Sequence, residues 1–356
     1  MKKAIIAMSG GVDSSVAALL MKQKGYECIG ATMKLYAADM DSYSEKSCCA
    51  ADDAADARSV ASRLNMPFYV FNFTDDFKKK VIEPFITSYE CGCTPNPCIE
   101  CNKYLKFDKL FSKMYELGFD YVVTGHYARI ERDACSGRYL LKKAKDLSKD
   151  QSYVLYNLSQ EQLAHILFPL GDIEKTEARA LAAEQGFLNA DKHESQDICF
   201  VPDGDYVSFI ERYTGKSYPC GDFVNLQGEV LGEHKGIIRY TVGQRKGLGL
   251  ALPRPMYVCK KDVPQNRVVL CYKEDLVCKE VYAENVNWIS TEAPGEPLRI
   301  KARLRYNQKE QPATVYAMAE NKIKVIFDEP VSTPAAKGQA LVMYDGDIVV
   351  GGGTII

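Results

Sequence analysis

Ser9-Gly10-Gly11-Val12-Asp13-Ser14-Ser15 follows directly on the apolar run Lys3-Ala4-Ile5-Ile6-Ala7-Met8 and leads into Val16-Ala17-Ala18-Leu19-Leu20-Met21. A strand, a glycine turn and a helix in that order gather backbone amides at a helix amino terminus, where an anion is favoured. Two glycines let the backbone approach such an anion closely, and the serine hydroxyls add donors. The turn has neither the lysine of a Walker A loop nor the glycine spacing of a dinucleotide fingerprint, so neither of those phosphate sites is expected. The plainer alternative is a Gly-Ser turn that caps a helix.

Outward from this turn, strands are expected at Ala4 to Met8, Cys28 to Met33, Phe68 to Phe73 and Tyr121 to Thr124. Helical periodicity fills Ser14 to Lys24, Ala50 to Leu64 and Phe107 to Leu117. Strands alternating with helices predict an α/β doubly wound parallel-sheet domain. Its ligands would lie beyond the carboxyl ends of the strands, where Ser9 to Ser15, Met33 and Gly125-His126 emerge. After about Pro202 the pattern changes to short β-like runs broken by Gly and Pro, such as Tyr218-Pro219-Cys220-Gly221 and Leu252-Pro253-Arg254-Pro255. A small β-rich domain followed by a C-terminal β-barrel is expected, with domains at 1–203, 204–277 and 278–356.

The chain has 356 residues, 46% of them hydrophobic and 26% charged, enough for a substantial core and two or three domains. No stretch is long and apolar enough to cross a membrane, and the first strand starts without a signal-like segment, so a cytoplasmic protein is expected. The net charge of −2 is no global signature of nucleic-acid binding, so any RNA contact must be local.

In a reducing compartment the thirteen cysteines point to catalysis or metal binding rather than to a disulfide framework. In Thr94-Pro95-Asn96-Pro97-Cys98-Ile99-Glu100-Cys101-Asn102-Lys103 two prolines stiffen the approach to a C-x-x-C pair. Glu194-Ser195-Gln196-Asp197-Ile198-Cys199-Phe200 adds a third cysteine in a polar, loop-like context, so three sulfurs could converge. Thiolates at such spacing suit zinc as well as iron–sulfur clusters. Cys91 and Cys93 lie close by and are open to three readings: extra ligands, a resolving thiol, or inert surface cysteines. Cys28, Cys48, Cys49, Cys220, Cys259, Cys271 and Cys278 are read as small apolar fillers.

The glycine turn resembles the PP-loop of the N-type ATP pyrophosphatases, which cleave ATP between its α and β phosphates. Further runs are Cys48-Cys49-Ala50-Ala51-Asp52-Asp53, Thr124-Gly125-His126-Tyr127-Ala128-Arg129, Lys149-Asp150-Gln151-Ser152-Tyr153 and Gly243-Gln244-Arg245-Lys246-Gly247-Leu248-Gly249. With these and the cysteines, essentially the whole chain resembles the tRNA-specific 2-thiouridylases of the MnmA family. That resemblance implies ATP-dependent 2-thiolation of the wobble uridine in tRNAs for Lys, Glu and Gln. Cys101 would be the nucleophile, Cys199 the persulfide carrier, and Asp13 would orient Mg2+ and pyrophosphate. Ala7, Met8, Ser9, Gly10, Gly11, Val12, Asp13, Ser14, Ser15, Met33 and Gly125 would bind ATP.

Asn96, Pro97 and Cys98 would face the target base, though many family members carry Asp at the place of Cys98. With Cys there, Cys98, Cys101 and Cys199 could instead ligate three irons of a 4Fe-4S cluster holding hydrosulfide. Cys93 departs from the family's more frequent Arg. A cysteine desulfurase or sulfur-relay protein is implied as donor on the persulfide route, and a monomer that orders around tRNA is expected.

Arg299-Ile300-Lys301-Ala302-Arg303-Leu304-Arg305-Tyr306 alternates strictly, which on a strand puts cations on one face and apolar residues on the other. This is a phosphate rail or a solvated barrel face. The resemblance adds Arg305, Tyr306, His126, Lys149, Asp150, Gln151 and Gln339 as tRNA contacts. Arg138, Lys142, Lys143 and Lys145 form a further basic cluster, and Gly243 to Gly249 fits either an RNA phosphate or a tight turn. Two other functions fit parts of the pattern: a PP-loop amidotransferase or ligase with no need of Cys101 or Cys199, and a noncatalytic RNA-binding or iron–sulfur storage protein indifferent to Asp13.

Overall fold

The computed structural model describes residues 1–36, 51–190, 192, 198–201 and 203–356. Cys48, Cys49 and the run 194–197 lie outside the described residues. The chain divides into two compact units, one of Met1–Ile82, Pro97–Gly204 and Gly346–Val349, the other of Glu83–Asn96, Asp205–Asp345 and Val350–Ile356.

The first unit is built on β1 (Lys3–Ala7), β2 (Glu27–Lys34), β3 (Phe68–Asn72), β4 (Tyr121–Val123) and β7 (Ile166–Leu167), ordered β3-β2-β1-β4-β7 with every pair parallel. The central strand β1 is buried from Ala4 to Ala7, which is why it reads as an unbroken apolar run rather than an alternation. Helices α1 (Val12–Gln23) and α2 (Ala51–Arg63) contribute Val16, Ala17, Leu19, Ala57, Val60 and Ala61 to the core under this sheet. Burying Ile5 and Ile6 completely stabilises the unit by about 1.5–3 kcal/mol each.

Two elements of this unit differ from expectation. The helical stretch placed at Phe107 to Leu117 begins at Pro97. It runs as Pro97–Glu100, a wider π-type segment Cys101–Lys109, and Leu110–Glu116. Proline fits the first position of a helix because its missing N–H has no intrahelical partner there. The C-x-x-C pair therefore sits on a helix. The second addition is the antiparallel hairpin β5 (Ala128–Arg132) and β6 (Tyr139–Lys143), whose Lys142 pairs with Ile348. Its turn is held by Asp133 Oδ2, which accepts from the Ser136 amide at 2.8 Å.

In the second unit, β8 (Gly221–Val224), β9 (Val230–His234), β10 (Tyr257–Asp262) and β11 (Arg267–Cys271) form a sheet ordered β10-β11-β8-β9. A helix missed by periodicity, Tyr206–Thr214, precedes it. Asp205 caps this helix by accepting from the Ser208 amide, and Gly215 at φ 67° ends it. The last six strands are β12 (Cys278–Trp288), β13 (Leu298–Arg303), β14 (Gln311–Met318), β15 (Lys322–Val331), β16 (Ala340–Asp345) and β17 (Ile348–Ile355). Their order is β12-β15-β14-β13-β16-β17, and pairing of β12 with β17 closes an antiparallel barrel. Inside lie Val281, Ile300, Ala302, Val315, Val325 and Phe327. On β13, Ile300 and Ala302 point inward while Arg299 and Lys301 are exposed, as the alternation predicts. The strand ends at Arg303, however, so Arg305 lies beyond it.

Candidate active site

The glycine turn leaves the sheet from a fixed point. The Met8 amide donates to Ala31 O at 2.8 Å, and the Thr32 hydroxyl donates to Met8 O at 2.6 Å. Gly10 has φ +78°, and a Cβ there would stand 2.4 Å from the carbonyl oxygen of Asp53 in α2. Only glycine fits that conformation and that gap. Gly11 is the N-cap of α1 with no side-chain cap, so the first-turn amides carry the positive end of the helix dipole without a serine or aspartate cap.

The serines do less for a ligand than the sequence suggests. Ser14 Oγ and Ser15 Oγ both donate to Gly11 O, at 3.0 and 3.1 Å, and both residues are buried. They brace the turn, while Ser9 is exposed.

Asp13 sits in the first turn of α1 and accepts three bonds. Lys175 Nζ lies 2.7 and 2.8 Å from its two oxygens, and Tyr127 OH donates to Oδ1 at 2.9 Å. Its side chain keeps 31% exposure. A partly open carboxylate beside uncapped amides suits Mg2+ bridged to phosphates, since Mg2+ binds through one or two carboxylates plus phosphate oxygens.

Gly125 closes against this turn, where a Cβ would come within 2.7 Å of the Ser14 nitrogen. Gln151 clamps Tyr127 by accepting from its amide and donating its own amide to Tyr127 O, both at 2.9 Å. Asp150 is buried and accepts from the amides of Ala144 and Ser152. Lys149 and Met33 are half-buried.

His126 is buried between Phe107 and Phe168, with Nδ1 2.7 Å from Thr124 Oγ1. Burial first, and Lys106 second, hold its pKa well below the usual 6.5, so a neutral ring is the native form.

Several residues that shape this site carry no local sequence signal. Asn189 is 2% exposed, and its amide nitrogen donates to Gly10 O at 2.8 Å and to Ser15 Oγ at 2.9 Å. Its Oδ1 has no hydrogen-bond partner among the described residues. Lys192 pairs with Asp53 and Asp56, across the backbone that Gly10 touches. Lys175 and Tyr127 complete the set around Asp13.

On the C-x-x-C helix Cys98 is exposed and Cys101 buried. Between them burial raises the Glu100 carboxyl above the usual range, against the pull of Lys103. Asn102 anchors the helix by donating to Val154 O at 3.1 Å. Cys199 is half-buried and accepts a hydrogen bond from Tyr36 OH at 3.0 Å. Among the described residues no three His, Cys, Asp or Glu side chains form a group able to hold a metal ion.

The remaining candidates belong to the second unit. Asn96 is half-buried. Gln339 Nε2 donates to Thr94 O at 2.7 Å, and Arg305 Nη2 to Val242 O at 2.7 Å. Tyr306 is exposed. Arg299 is paired through both guanidinium nitrogens with Asp328, so the rail is partly neutralised. In the first unit's basic cluster Lys142 is likewise paired, with Glu131 and Asp347. Cys220 is exposed, which corrects its reading as an apolar filler; Cys28 and Cys271 are buried as expected.

A five-stranded parallel sheet with a glycine loop opening α1 is the fold of a HUP domain, and the same chain carries a closed β-barrel. Family models agree along the chain: "tRNA methyl transferase HUP domain" matches residues 2–203, "tRNA methyl transferase PRC-barrel domain" 207–272, and "Aminomethyltransferase beta-barrel domain" 278–355. The chain is 52% identical over 354 residues to the tRNA-specific 2-thiouridylase MnmA of Clostridioides difficile, covering 99% of this chain and 98% of that one. It is 50% identical over 357 residues to that of Acetivibrio thermocellus, covering 99% of each.

The chain belongs to the MnmA family of tRNA-specific 2-thiouridylases, and it is a tRNA sulfurtransferase. Among solved structures, the U34-tRNA thiolase NcsA of Methanococcus maripaludis with its 4Fe-4S cluster aligns at a TM-score of 0.35 and 17% identity, over 60% of this chain and 66% of that one. That likeness is too slight to bear on the chemistry. No described helix is long and apolar enough to cross a membrane.

Proposed function

We propose that this enzyme adenylates the C2 oxygen of the wobble uridine in tRNAs for Lys, Glu and Gln with ATP, then replaces that oxygen with sulfur carried as a persulfide on Cys199. The observation that carries the ATP step is the Asp13 carboxylate, half open beside the uncapped amino terminus of α1 and backed by Gly10, Gly11 and Gly125. Attack of O2 on the α-phosphate releases pyrophosphate, whose developing charge the loop amides stabilise. Mg2+, when bound at Asp13, supplies further charge neutralisation on the phosphates.

Sulfur transfer then needs two thiols. Cys101 attacks the inner sulfur of the Cys199 persulfide, forms a Cys101–Cys199 disulfide and releases hydrosulfide. Hydrosulfide adds at C2 and AMP departs, leaving thiouridine; a dithiol reductant restores both cysteines. The Tyr36 hydroxyl donating to Cys199 Sγ supports this route. Asn96, Pro97 and Cys98 flank the target base in this reading. Arg305, Tyr306, Lys149 and Gln339 contact tRNA, while the buried His126 and Asp150 and the clamp Gln151 act through the backbone they hold. A cysteine desulfurase or relay protein supplies the sulfur, the enzyme works as a cytoplasmic monomer, and its domains are 1–203, 204–277 and 278–356.

Single-turnover thiolation of an anticodon stem-loop with ATP and a persulfide donor tests this. Cys101→Ser and Cys199→Ser should each abolish thiouridine, with pyrophosphate release and adenylated stem-loop retained. Thiolation that survives both substitutions, or that runs on sulfide without a thiol reductant in protein holding about four irons per chain, would refute the persulfide route.

A further inference from the structure

Lys175 is the first residue of the helix Lys175–Glu184. An ammonium at a helix amino terminus opposes the helix dipole, and here it is also 7% exposed. Burying a cation there is costly unless it is paired and hydrogen-bonded. The pairing is with Asp13: Nζ lies 2.7 and 2.8 Å from the two carboxylate oxygens and 5.6 Å from the centre of the Tyr127 ring. The main chain is fixed as well, with the Lys175 amide donating to Asp146 Oδ2 at 3.1 Å.

The phosphate turn thus carries a buried cation on the carboxylate placed to take Mg2+ in the ATP reading. We propose that Lys175 is a positioning residue of the ATP site: its ammonium holds Asp13 aimed along the turn while the site is empty and yields the carboxylate to Mg2+ when nucleotide binds. A compact point charge on a flexible stem can withdraw in this way. Mg2+ and Lys175 then compete for the same oxygens. The proposal rests on the ATP reading of the turn.

The test is equilibrium binding of ATP to the full chain over a series of Mg2+ concentrations, alongside pyrophosphate release. Lys175→Met removes the competitor, and the Mg2+ midpoint for ATP binding should fall about tenfold, as expected for a lost charge-assisted contact. Pyrophosphate release should slow at least tenfold because Asp13 loses its orientation. Lys175→Arg pairs both oxygens in a planar fork and should move the midpoint upward. That second variant keeps the charge and covers the case in which Lys175→Met fails to fold.

A wild-type midpoint in either folded variant overturns the proposal. Asp13→Asn separates the two readings. If it binds ATP with wild-type Mg2+ dependence, the assignment of Asp13 to the ATP site itself fails. If it loses that dependence while the Lys175 variants keep wild-type midpoints, only the role of Lys175 is refuted.

Discussion

Replacing Gly10 with alanine tests whether the turn owes its shape to the contact between the Gly10 backbone and α2. At φ +78° an alanine costs about 1–2 kcal/mol for the left-handed backbone. Its Cβ would stand 2.4 Å from Asp53 O and 2.8 Å from Asp53 Cα, both backbone atoms, so α2 or the turn must shift. Such overpacking adds about 1–3 kcal/mol. The smaller chain entropy of unfolded alanine returns about 0.4–1 kcal/mol, leaving a net loss of about 1–5 kcal/mol.

Gly11 is the internal control. Its φ is −87°, and a Cβ there would meet only Ser9 Oγ, at 3.5 Å. Gly11→Ala should therefore stay within about 1 kcal/mol of the parent. For a unit of this size the Gly10→Ala loss corresponds to a melting shift of about 2–20 °C. Far-UV circular dichroism is the suitable probe, because the single tryptophan, Trp288, lies in β12 of the other unit. Equal melting temperatures for the two alanine variants would refute the packing argument.

Three further outcomes are expected. The neutral, buried His126 cannot take the proton that the unfolded chain binds below pH 6.5, so stability should fall as pH drops below that value; His126→Gln should flatten the decline in urea midpoints, and parallel curves would count against it. Burial, opposed by Cys93, pushes the Lys261 pKa from 10.5 down to about 8. The native state sheds this proton before the unfolded state does, so stability gains a contribution as pH rises from about 8 toward 10.5, and Lys261→Met should lose that rise in a urea titration. Tyr36→Phe removes the hydroxyl donating to Cys199 Sγ, and a bond of about 1 kcal/mol predicts an approximately fivefold slower single-turnover sulfur step; an unchanged rate would show that the contact does not order the sulfur.

The strand, turn and helix around Ser9 to Ser15 were legible because each follows from local pattern, and β1 to β4 lie within about two residues of where apolar runs place them. The hairpin β5–β6 was missed although Ser136-Gly137 marks its turn, because Arg129, Glu131 and Arg132 mask the alternation. The helix from Pro97 carries no helical expectation in the sequence, where two prolines before a C-x-x-C pair show only a stiffened approach, and Pro97 proves to be a helix start.

From the sequence alone came the phosphate turn, the order of α/β and β-rich regions and the cysteines to examine, all carried by residues near one another in the chain. Tertiary structure decided what those residues can do. Lys175 reaches Asp13 across 162 residues, Asn189 reaches Gly10 across 179, and Tyr36 reaches Cys199 across 163. It turned Ser14 and Ser15 inward and buried His126 between two aromatic rings. Local patterning reports backbone preference and which face is apolar. The partners that neutralise a buried charge or satisfy a buried amide come from wherever packing brings them, and no spacing in the chain records that.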